Sequence, residues 1–338
     1  MRAAVYRETG DADVVELVER EPGEPGPGEV RVRVVRSGVN PTDWKIRAGL
    51  SGSMAAEEVV PNQDGAGVVD AVGEGVDLTV GDRVGIILAA YQRPTGTAQE
   101  QTVVPAERVF VLPEGASFDV GADVGVPALT AHRALTTSEG GPERLSPGAL
   151  AGRTVLVAGG AGAVGNAAIQ LARWAGATVI TTVSGPEKAE LATAAGAHHV
   201  LNYRTEDVVA EVRRVAPDGA DVVVEVSPAQ NLALDLQLLR TAGTIAIYAN
   251  NGGDEVPLKI RETFATNARF QFVFLYTVPP AALRAGMDDV VAAIADGGFG
   301  VGEEHGLPLL HFSLEQTAEA HRAVEDGAVG KVLIDVAP

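Results

Sequence analysis

The sequence predicts an α/β protein of two domains: a doubly wound parallel sheet, preceded by a smaller domain of short strands. Three observations carry this. From residue 154 to 277, β-branched runs alternate with helical ones. Before about residue 120, short runs bounded by glycine or proline follow one another closely. A glycine turn joins the first strand of the alternating region to its helix.

The first region opens on a turn segment, residues 21–28, that no regular element crosses. Residues 29–35 then alternate polar and apolar, with Val30, Val32 and Val34 on one face. Stretches 65–73, 82–87 and 101–105 are further short strands, and their spacing predicts a small barrel. From Asp119 the period changes. A helical run over 124–136 leads to a loop holding Gly140-Gly141-Pro142 and Pro147-Gly148. Six strands follow, at 154–158, 178–183, 200–202, 221–226, 243–249 and 269–277, with helices between them. Residues 221–226 read as a strand buried on both faces. The tail predicts a helix over 280–295, a strand near 309–312, a helix over 314–325 and a last strand over 331–336. It is expected to fold back on the first domain. The predicted domains are therefore 1–122 with 281–338, and 123–280.

The most informative stretch is Thr154-Val155-Leu156-Val157-Ala158-Gly159-Gly160-Ala161-Gly162-Ala163-Val164-Gly165. Gly160, Gly162 and Gly165 fill the three glycine positions of G-x-G-x-x-G. In that pattern the first allows a tight turn, the second lets a pyrophosphate approach the backbone, and the third packs helix on strand. Unpaired amides at the helix start favour an anion. The motif is weak alone in a chain with 40 glycines, but its strand–turn–helix setting points to dinucleotide binding. The competing reading is an ordinary βαβ unit.

An NAD site usually ends its second strand on a carboxylate that accepts from the ribose hydroxyls. Here Ser184 stands at that place, and Lys188 follows at the start of the next helix. A charge-assisted bond from Lys188 to a 2′-phosphate, worth about 1.5–3 kcal/mol, gives a roughly 10- to 100-fold preference for NADPH. Against this, Ser184 caps the helix and Lys188 is a solvated charge.

Composition narrows the classes. No cysteine is present, which excludes disulfides, thiolate catalysis and cysteine-ligated zinc. The six histidines show no metal spacing. A net charge of −19 argues against nucleic-acid or anionic-membrane partners, and no apolar run suits a transmembrane helix. The first six residues read as a strand, not a signal peptide, so a cytoplasmic protein is expected.

The stretch Gly38-Val39-Asn40-Pro41-Thr42-Asp43-Trp44-Lys45-Ile46-Arg47-Ala48-Gly49, together with 64–69, 124–135, 196–204 and Gly330-Lys331-Val332, resembles the medium-chain dehydrogenase/reductase superfamily. Within it the chain is similar to the zinc-independent quinone oxidoreductases, the zeta-crystallin group. The resemblance spans nearly the whole chain. It implies a GroES-like β-barrel catalytic domain and a Rossmann domain binding NADPH. Where zinc relatives carry a Cys, a His and a Cys, this chain aligns Asn40, Gln63 and about Val126. An amide is a poor zinc ligand and a valine is none, so no catalytic metal is expected.

The resemblance adds Ala161, Ala163 and Val164 of the glycine loop to the cofactor contacts. It also adds Tyr203 near the adenosine phosphate, Asn250 near the nicotinamide ribose, and Phe274 and Leu275 toward the carboxamide. Lys331 would approach the cofactor from the tail, and Thr130 would line the cleft. Packing between domains is the alternative for Tyr203, Phe274 and Thr130. The candidate donors to a developing oxyanion are Asn40, Lys45 and Arg47, along with water, with Asp43 orienting one of them or capping a turn and an exposed charge as the alternative for Lys45. Trp44 lines the pocket or packs. The quinone reductase pattern has a tyrosine where Lys45 stands, and often another near Ser51. The form Asn-Pro-Thr-Asp-Trp-Lys is closer to enoyl reductases of polyketide synthesis. The expected substrate is a quinone or related enone, with 2-alkenals or enoyl thioesters as the alternative. A noncatalytic structural or RNA-binding role is a third reading. Relatives form homodimers through a sheet edge, for which residues 270–276 are apolar enough.

Overall fold

The computed structural model describes residues 1–337. The chain forms two compact units, Met1–Val126 with the segment from Pro308 onward, and Pro127–Leu307. In chain order the first unit contains β1 (Arg2–Val5), β2 (Glu16–Glu19), β3 (Glu29–Val39), α1 (Pro41–Arg47), β4 (Asp64–Val72), β5 (Arg83–Ile86), β6 (Gln101–Pro105), β7 (Val109–Val111) and α2 (Phe118–Gly121). The second contains α3 (Leu129–Leu135), β8 (Thr154–Ala158), α4 (Ala163–Trp174), β9 (Thr178–Val183), α5 (Pro186–Ala194), β10 (His199–Asn202), α6 (Val208–Val215), β11 (Ala220–Glu225), α7 (Pro228–Leu238), β12 (Leu239–Ile247), α8 (Ile260–Thr266), β13 (Arg269–Phe272) and α9 (Pro280–Ala295). The chain then returns to the first unit with β14 (Leu309–Ser313), α10 (Thr317–Glu325) and β15 (Lys331–Asp335).

The first unit is built on β3, whose Val30, Val32 and Val34 are fully buried, as their alternation requires. β3 pairs antiparallel with β4, β6 and β15. The sheet runs β14-β15-β3-β4-β5-β7, with β6 on β3. Among the described residues these ladders form an open path. The register β15–β3 places Leu333 opposite Gly38. That pairing brings the tail and the stretch before α1 together.

The second unit is a six-stranded parallel sheet in the order β10-β9-β8-β11-β12-β13. The order reverses between β8 and β11, the point at which open parallel sheets bind ligands beyond their carboxyl ends. Small and apolar residues of α4 (Ala167, Ala168, Ile169, Leu171, Ala172) are fully buried.

Three expectations change. The helical run over 124–136 splits into a π-helical segment, Val124–Ala128, and α3. Pro127 lies inside that segment and lacks the N–H that a regular turn would use. The sixth strand stops at Phe272, and a 3₁₀ turn, Leu275–Thr277, follows, closed by Thr277 N–H to the Phe274 carbonyl at 3.0 Å. Phe274 and Leu275 therefore lie beyond the strand they were expected to end. Finally, α9 belongs to the nucleotide unit and not to the returning tail. It packs on α3, with Gly286 close against His132.

Asp289 of α9 fixes that packing. It accepts from His132 Nε2 at 2.8 Å, Arg144 Nε at 2.8 Å and the Leu145 amide at 2.7 Å. His132 and Arg144 bonding outweighs burial and holds its carboxyl below the ordinary aspartate range. A depressed carboxylate stabilises the fold above its unfolded pKa and loses that contribution as pH falls through the folded value. Asp289→Ala is expected to lower the stability of this unit by about 3–5 kcal/mol at pH 7. Chemical denaturation at pH 7 and pH 3 checks this, the loss shrinking at the lower pH.

Candidate active-site residues and nucleotide loop

The turn from β8 to α4 is set by backbone need. Gly159 has φ +71°, a conformation glycine adopts freely. The tight turn therefore belongs to Gly159 and not to Gly160, as the motif suggested. Gly160 is required by contact: a Cβ there would come within 2.2 Å of Thr181 Oγ1. At Gly165 a Cβ would lie 2.4 Å from the Gly159 carbonyl, so the third glycine does pack helix on turn. At Gly162 the nearest atom to a Cβ is the Gly159 carbonyl at 3.6 Å, which leaves this face open. Gly162 is also the N-cap of α4, with no side-chain cap. The first-turn amides of Ala163, Val164 and Gly165 thus await an acceptor, while Ala161 is buried beneath them. The loop fits a pyrophosphate.

Beyond β9, Ser184 is half-buried and precedes Gly185, the N-cap of α5, so the serine does not cap that helix. Lys188 lies in the first turn of α5, half-buried. Tyr203 donates its amide to the Val183 carbonyl at 3.1 Å, which brings its backbone to the same strand end, and its side chain is exposed. Ser184, Lys188 and Tyr203 therefore gather at the β9 end. Asn250 is exposed after β12 and bonds Asp254. Phe274 is exposed, with its ring 5.1 Å from Tyr276, whereas Leu275 is buried. Thr130 is buried on α3.

The first unit holds a network that the sequence reading saw only in part. Lys331 is 1% exposed. Its ammonium donates to Asn40 Oδ1 at 2.9 Å and stands 3.4 Å from Asp123 Oδ1 and 3.7 Å from Asp64 Oδ2. Asn40 Nδ2 donates to Asp64 Oδ2 at 2.8 Å. The Val126 amide reaches the same carboxylate at 2.9 Å. Two glycines make room: a Cβ at Gly125 would strike Asp64 Oδ1, and one at Gly38 would strike the Ala122 carbonyl and crowd the lysine stem. Asp43 accepts from the Asn40 amide at 2.7 Å and the Gln63 amide at 3.1 Å. It therefore both caps α1 and fixes the two segments that carry the amides.

Burial dominates the electrostatics of this network. Desolvation, then the Asp64 charge, pushes Asp43 up to about 7. Desolvation, partly offset by Lys331, pushes Asp123 up to about 7. Asp64 is raised for the same reason.

Two expected donors are already engaged. Lys331 is held inside the acidic network, so its ammonium does not stand free for a cofactor. Arg47 is fully buried and donates to the Gly10 carbonyl at 2.8 Å and to Glu325 at 2.6 Å. Lys45 is half-buried, 5.9 Å from the Trp44 ring centroid, in cation–π range of a half-buried indole. Sequence reasoning missed Asp64, Gln63 and Asp123 as network members. The available signal was carboxylates set among glycines and apolar residues.

Residues 26–114 match the alcohol dehydrogenase GroES-like domain family, and residues 163–293 the zinc-binding dehydrogenase family. The chain is 32% identical to quinone oxidoreductase of Lama guanicoe over 340 residues, covering 99% of this chain and 97% of that one. It is 32% identical to 2-haloacrylate reductase of Burkholderia sp, covering 95% and 94%. It is 34% identical to synaptic vesicle membrane protein VAT-1 homolog of Rattus norvegicus, but spans 59% of that protein's length. The chain belongs to the quinone oxidoreductase group of the medium-chain dehydrogenase/reductase superfamily. It is an oxidoreductase of a family that works with nicotinamide dinucleotides. Among solved structures, an NAD-dependent alcohol dehydrogenase superposes with a TM-score of 0.87 at 29% identity, covering all of both chains. Escherichia coli quinone oxidoreductase complexed with NADPH superposes at 0.81 and 25% identity, covering 99% and 100%.

Membership gives the network its context. The resemblance aligns Asn40, Gln63 and about Val126 with the zinc-ligand positions of metal-dependent members. Asn40 is bound at both ends, and Val126 offers only its backbone. Among the described residues, no group of three His, Cys, Asp or Glu side chains is arranged to hold a metal.

Asp123 tests the electrostatics. Neither of its oxygens meets a well-aligned donor among the described residues, and the Lys331 ammonium stands 3.4 Å away. Its folded pKa lies above the unfolded value, so its burial costs stability progressively as pH rises from about 4 to about 7, and the cost is constant above. Asp123→Asn is expected to stabilise the protein by about 1–4 kcal/mol at pH 8 and by little at pH 4.5. Equal shifts at both pH values, read by denaturant titration, would show that the carboxyl ionises normally.

Proposed function

We propose that this chain reduces an activated α,β-unsaturated carbonyl, quinones included, with hydride from NADPH and without a metal ion. The observation that most supports this is an uncapped nucleotide loop in a chain of this family whose Asn40, Asp64, Asp123 and Lys331 form a closed amide, carboxyl and ammonium network. NADPH supplies the hydride when bound. The chain's own residues bind it, orient it and keep water away.

Gly160, Gly162 and Gly165, with the amides of Ala163 and Val164, would hold the pyrophosphate. Ser184 in place of a carboxylate, with Lys188 and Tyr203 beside it, favours the 2′-phosphate. The Escherichia coli quinone oxidoreductase was solved with NADPH bound, and the alcohol dehydrogenase is NAD-dependent. The Ser184–Lys188 pair inclines the reading to the former. Asn250 and the Phe274–Leu275 backbone would serve the nicotinamide half, with Thr130 beside it.

Conjugate addition of hydride leaves negative charge on the carbonyl oxygen, and a preorganised donor stabilises it. Lys45 is the cation of the α1 segment that no hydrogen bond or ion pair engages among the described residues. It is the proposed donor to that oxygen, with Asn40 and Asp43 holding the segment in place. The haloacrylate-reducing relative supports the broader enone class over quinones alone. A cytoplasmic homodimer completes the reading. β13 is an edge strand, and Phe272 and Phe274 beside it are exposed.

One experiment separates these claims. Steady-state oxidation of NADPH and NADH is followed with 1,4-quinones, 2-alkenals and enoyl thioesters, in the presence of chelator, for wild type and Lys188→Ala. Turnover of at least one class is expected. The variant should raise the NADPH KM by about 10- to 100-fold and leave NADH use nearly unchanged. Tight cofactor binding without turnover on any acceptor would favour a noncatalytic role. Equal damage to both cofactors would remove Lys188 from the phosphate site.

A further inference from the structure

The nucleotide unit contains a buried acid pair with no part in the preceding account. Glu225 ends β11 and is fully buried, and Asp235, on α7, is 3% exposed. Asn231, one turn before Asp235 on the same helix, donates Nδ2 to Glu225 Oε1 at 3.1 Å. The amide of Ser227, the N-cap of α7, donates to the same oxygen. The Val226 amide is a further donor to Glu225, and the Asp235 carboxyl bonds to it as well. Asp235 Oδ2 meets no donor among the described residues. Two carboxyl groups bond to each other only when one carries a proton.

Among the described residues, the neighbouring elements bring no cation to this pair. Arg213 of α6 donates to the carbonyls of Pro217 and Gln237, and Arg214 bridges Glu211. Arg240 of β12 pairs with Asp221 of β11. Tyr248, just after β12, is the further titratable group facing Glu225, and burial with that charge raises its pKa. Glu225 is held instead by amides at the start of α7, where the helix dipole favours one negative charge.

The turn that carries Glu225 grips the loop after β12. The Glu225 carbonyl accepts from the Tyr248 amide and the Val226 carbonyl from the Asn251 amide, both at 3.1 Å. Ser227 Oγ donates to the Asn251 carbonyl at 2.7 Å. Val226 also reaches the glycine loop, since a Cβ at Gly159 would stand 3.3 Å from Val226 Cγ1. One short turn therefore touches both segments assigned to the cofactor.

We propose that Glu225 and Asp235 share a single proton at neutral pH, and that this pair is a positioning device that holds residues 225–227, and through them the 248–251 loop, for the dinucleotide. The proposal rests on the NADPH reading. Desolvation, then the Glu225 charge, raises Asp235 to about 9. The proton is thus retained through neutral pH. Its loss above about pH 9 puts two charges in one buried site with no cation, and the turn gives way.

The test is NADPH binding to the apoprotein by fluorescence titration at pH 7.5 and pH 10, with thermal midpoints at both. If binding needs the protonated pair, the wild-type Kd rises about tenfold between the two pH values. In Asp235→Asn the amide donates to Glu225 without titrating, so the Kd changes by about twofold or less. Glu225→Gln removes the opposing charge and should give the same flat profile, which keeps the test open if one variant folds poorly. A wild-type Kd that does not rise, or an equal rise in wild type and both variants, overturns the proposal. Wild type that binds no dinucleotide at pH 7.5 overturns the cofactor reading and the positioning role with it. In that case the alkaline fall of the thermal midpoint, present in wild type and absent in Asp235→Asn, still decides whether the proton is shared.

Discussion

A buried ammonium organises the first unit. Lys331 stands among Asn40, Asp64 and Asp123 with almost no access to water, and two aspartates lie within 4 Å of the one cation. Taking those charges out of water costs several kcal/mol per ion, and the attraction and hydrogen bonds among them offset that cost only in part. The sequence accommodates the cluster with unusual backbone choices. Gly38 and Gly125 are glycine because any Cβ would strike a carbonyl or the Asp64 carboxylate. The Val126 amide is spent on Asp64. The β15–β3 register exists, in effect, to bring a residue from the tail to a residue 291 positions earlier.

The same constraint decides what Asn40 and Asp43 can do. Asn40 has both amide atoms committed, so it holds the segment instead of reaching outward. Asp43 pins Asn40 and Gln63 through their amides. A lysine and a set of hydrogen bonds organise these positions, and the α1 segment that displays Lys45 and Trp44 is fixed as a consequence. The nucleotide unit follows a parallel logic. Its turns are set by close approach at Gly160 and Gly165, and its buried Glu225–Asp235 pair holds a proton where, among the described residues, no cation stands.

Much of this was legible in the sequence because it depends on local pattern. Strand alternation at 29–35, the strand–glycine–helix stretch at 154–165 and the helix at 280–295 all read correctly. So did the end of β9, where Ser184 and Lys188 can be counted from the glycine loop. The failures have physical causes. Which glycine takes the positive φ depends on the path of the turn, and the motif cannot distinguish Gly159 from Gly160. The π-helical segment at 124–128 follows from Pro127 within tight packing, where periodicity alone suggested one helix. Lys331 looked like a cofactor ligand because its acidic partners lie far away in sequence. Glu225 stood within a strand read as buried on both faces, a carboxylate where none should lie uncompensated, and that was the signal for its partner Asp235.

The dependence of the first unit on Lys331 can be measured directly. The stability lost on Lys331→Met is followed by denaturant titration between pH 5 and pH 8. Because the ammonium stabilises ionised carboxylates, and Asp43 and Asp123 ionise near pH 7, the loss should grow as pH rises across that range. A loss that is the same at pH 5 and pH 8 would mean that the lysine contributes only packing, and the account of the network would fail.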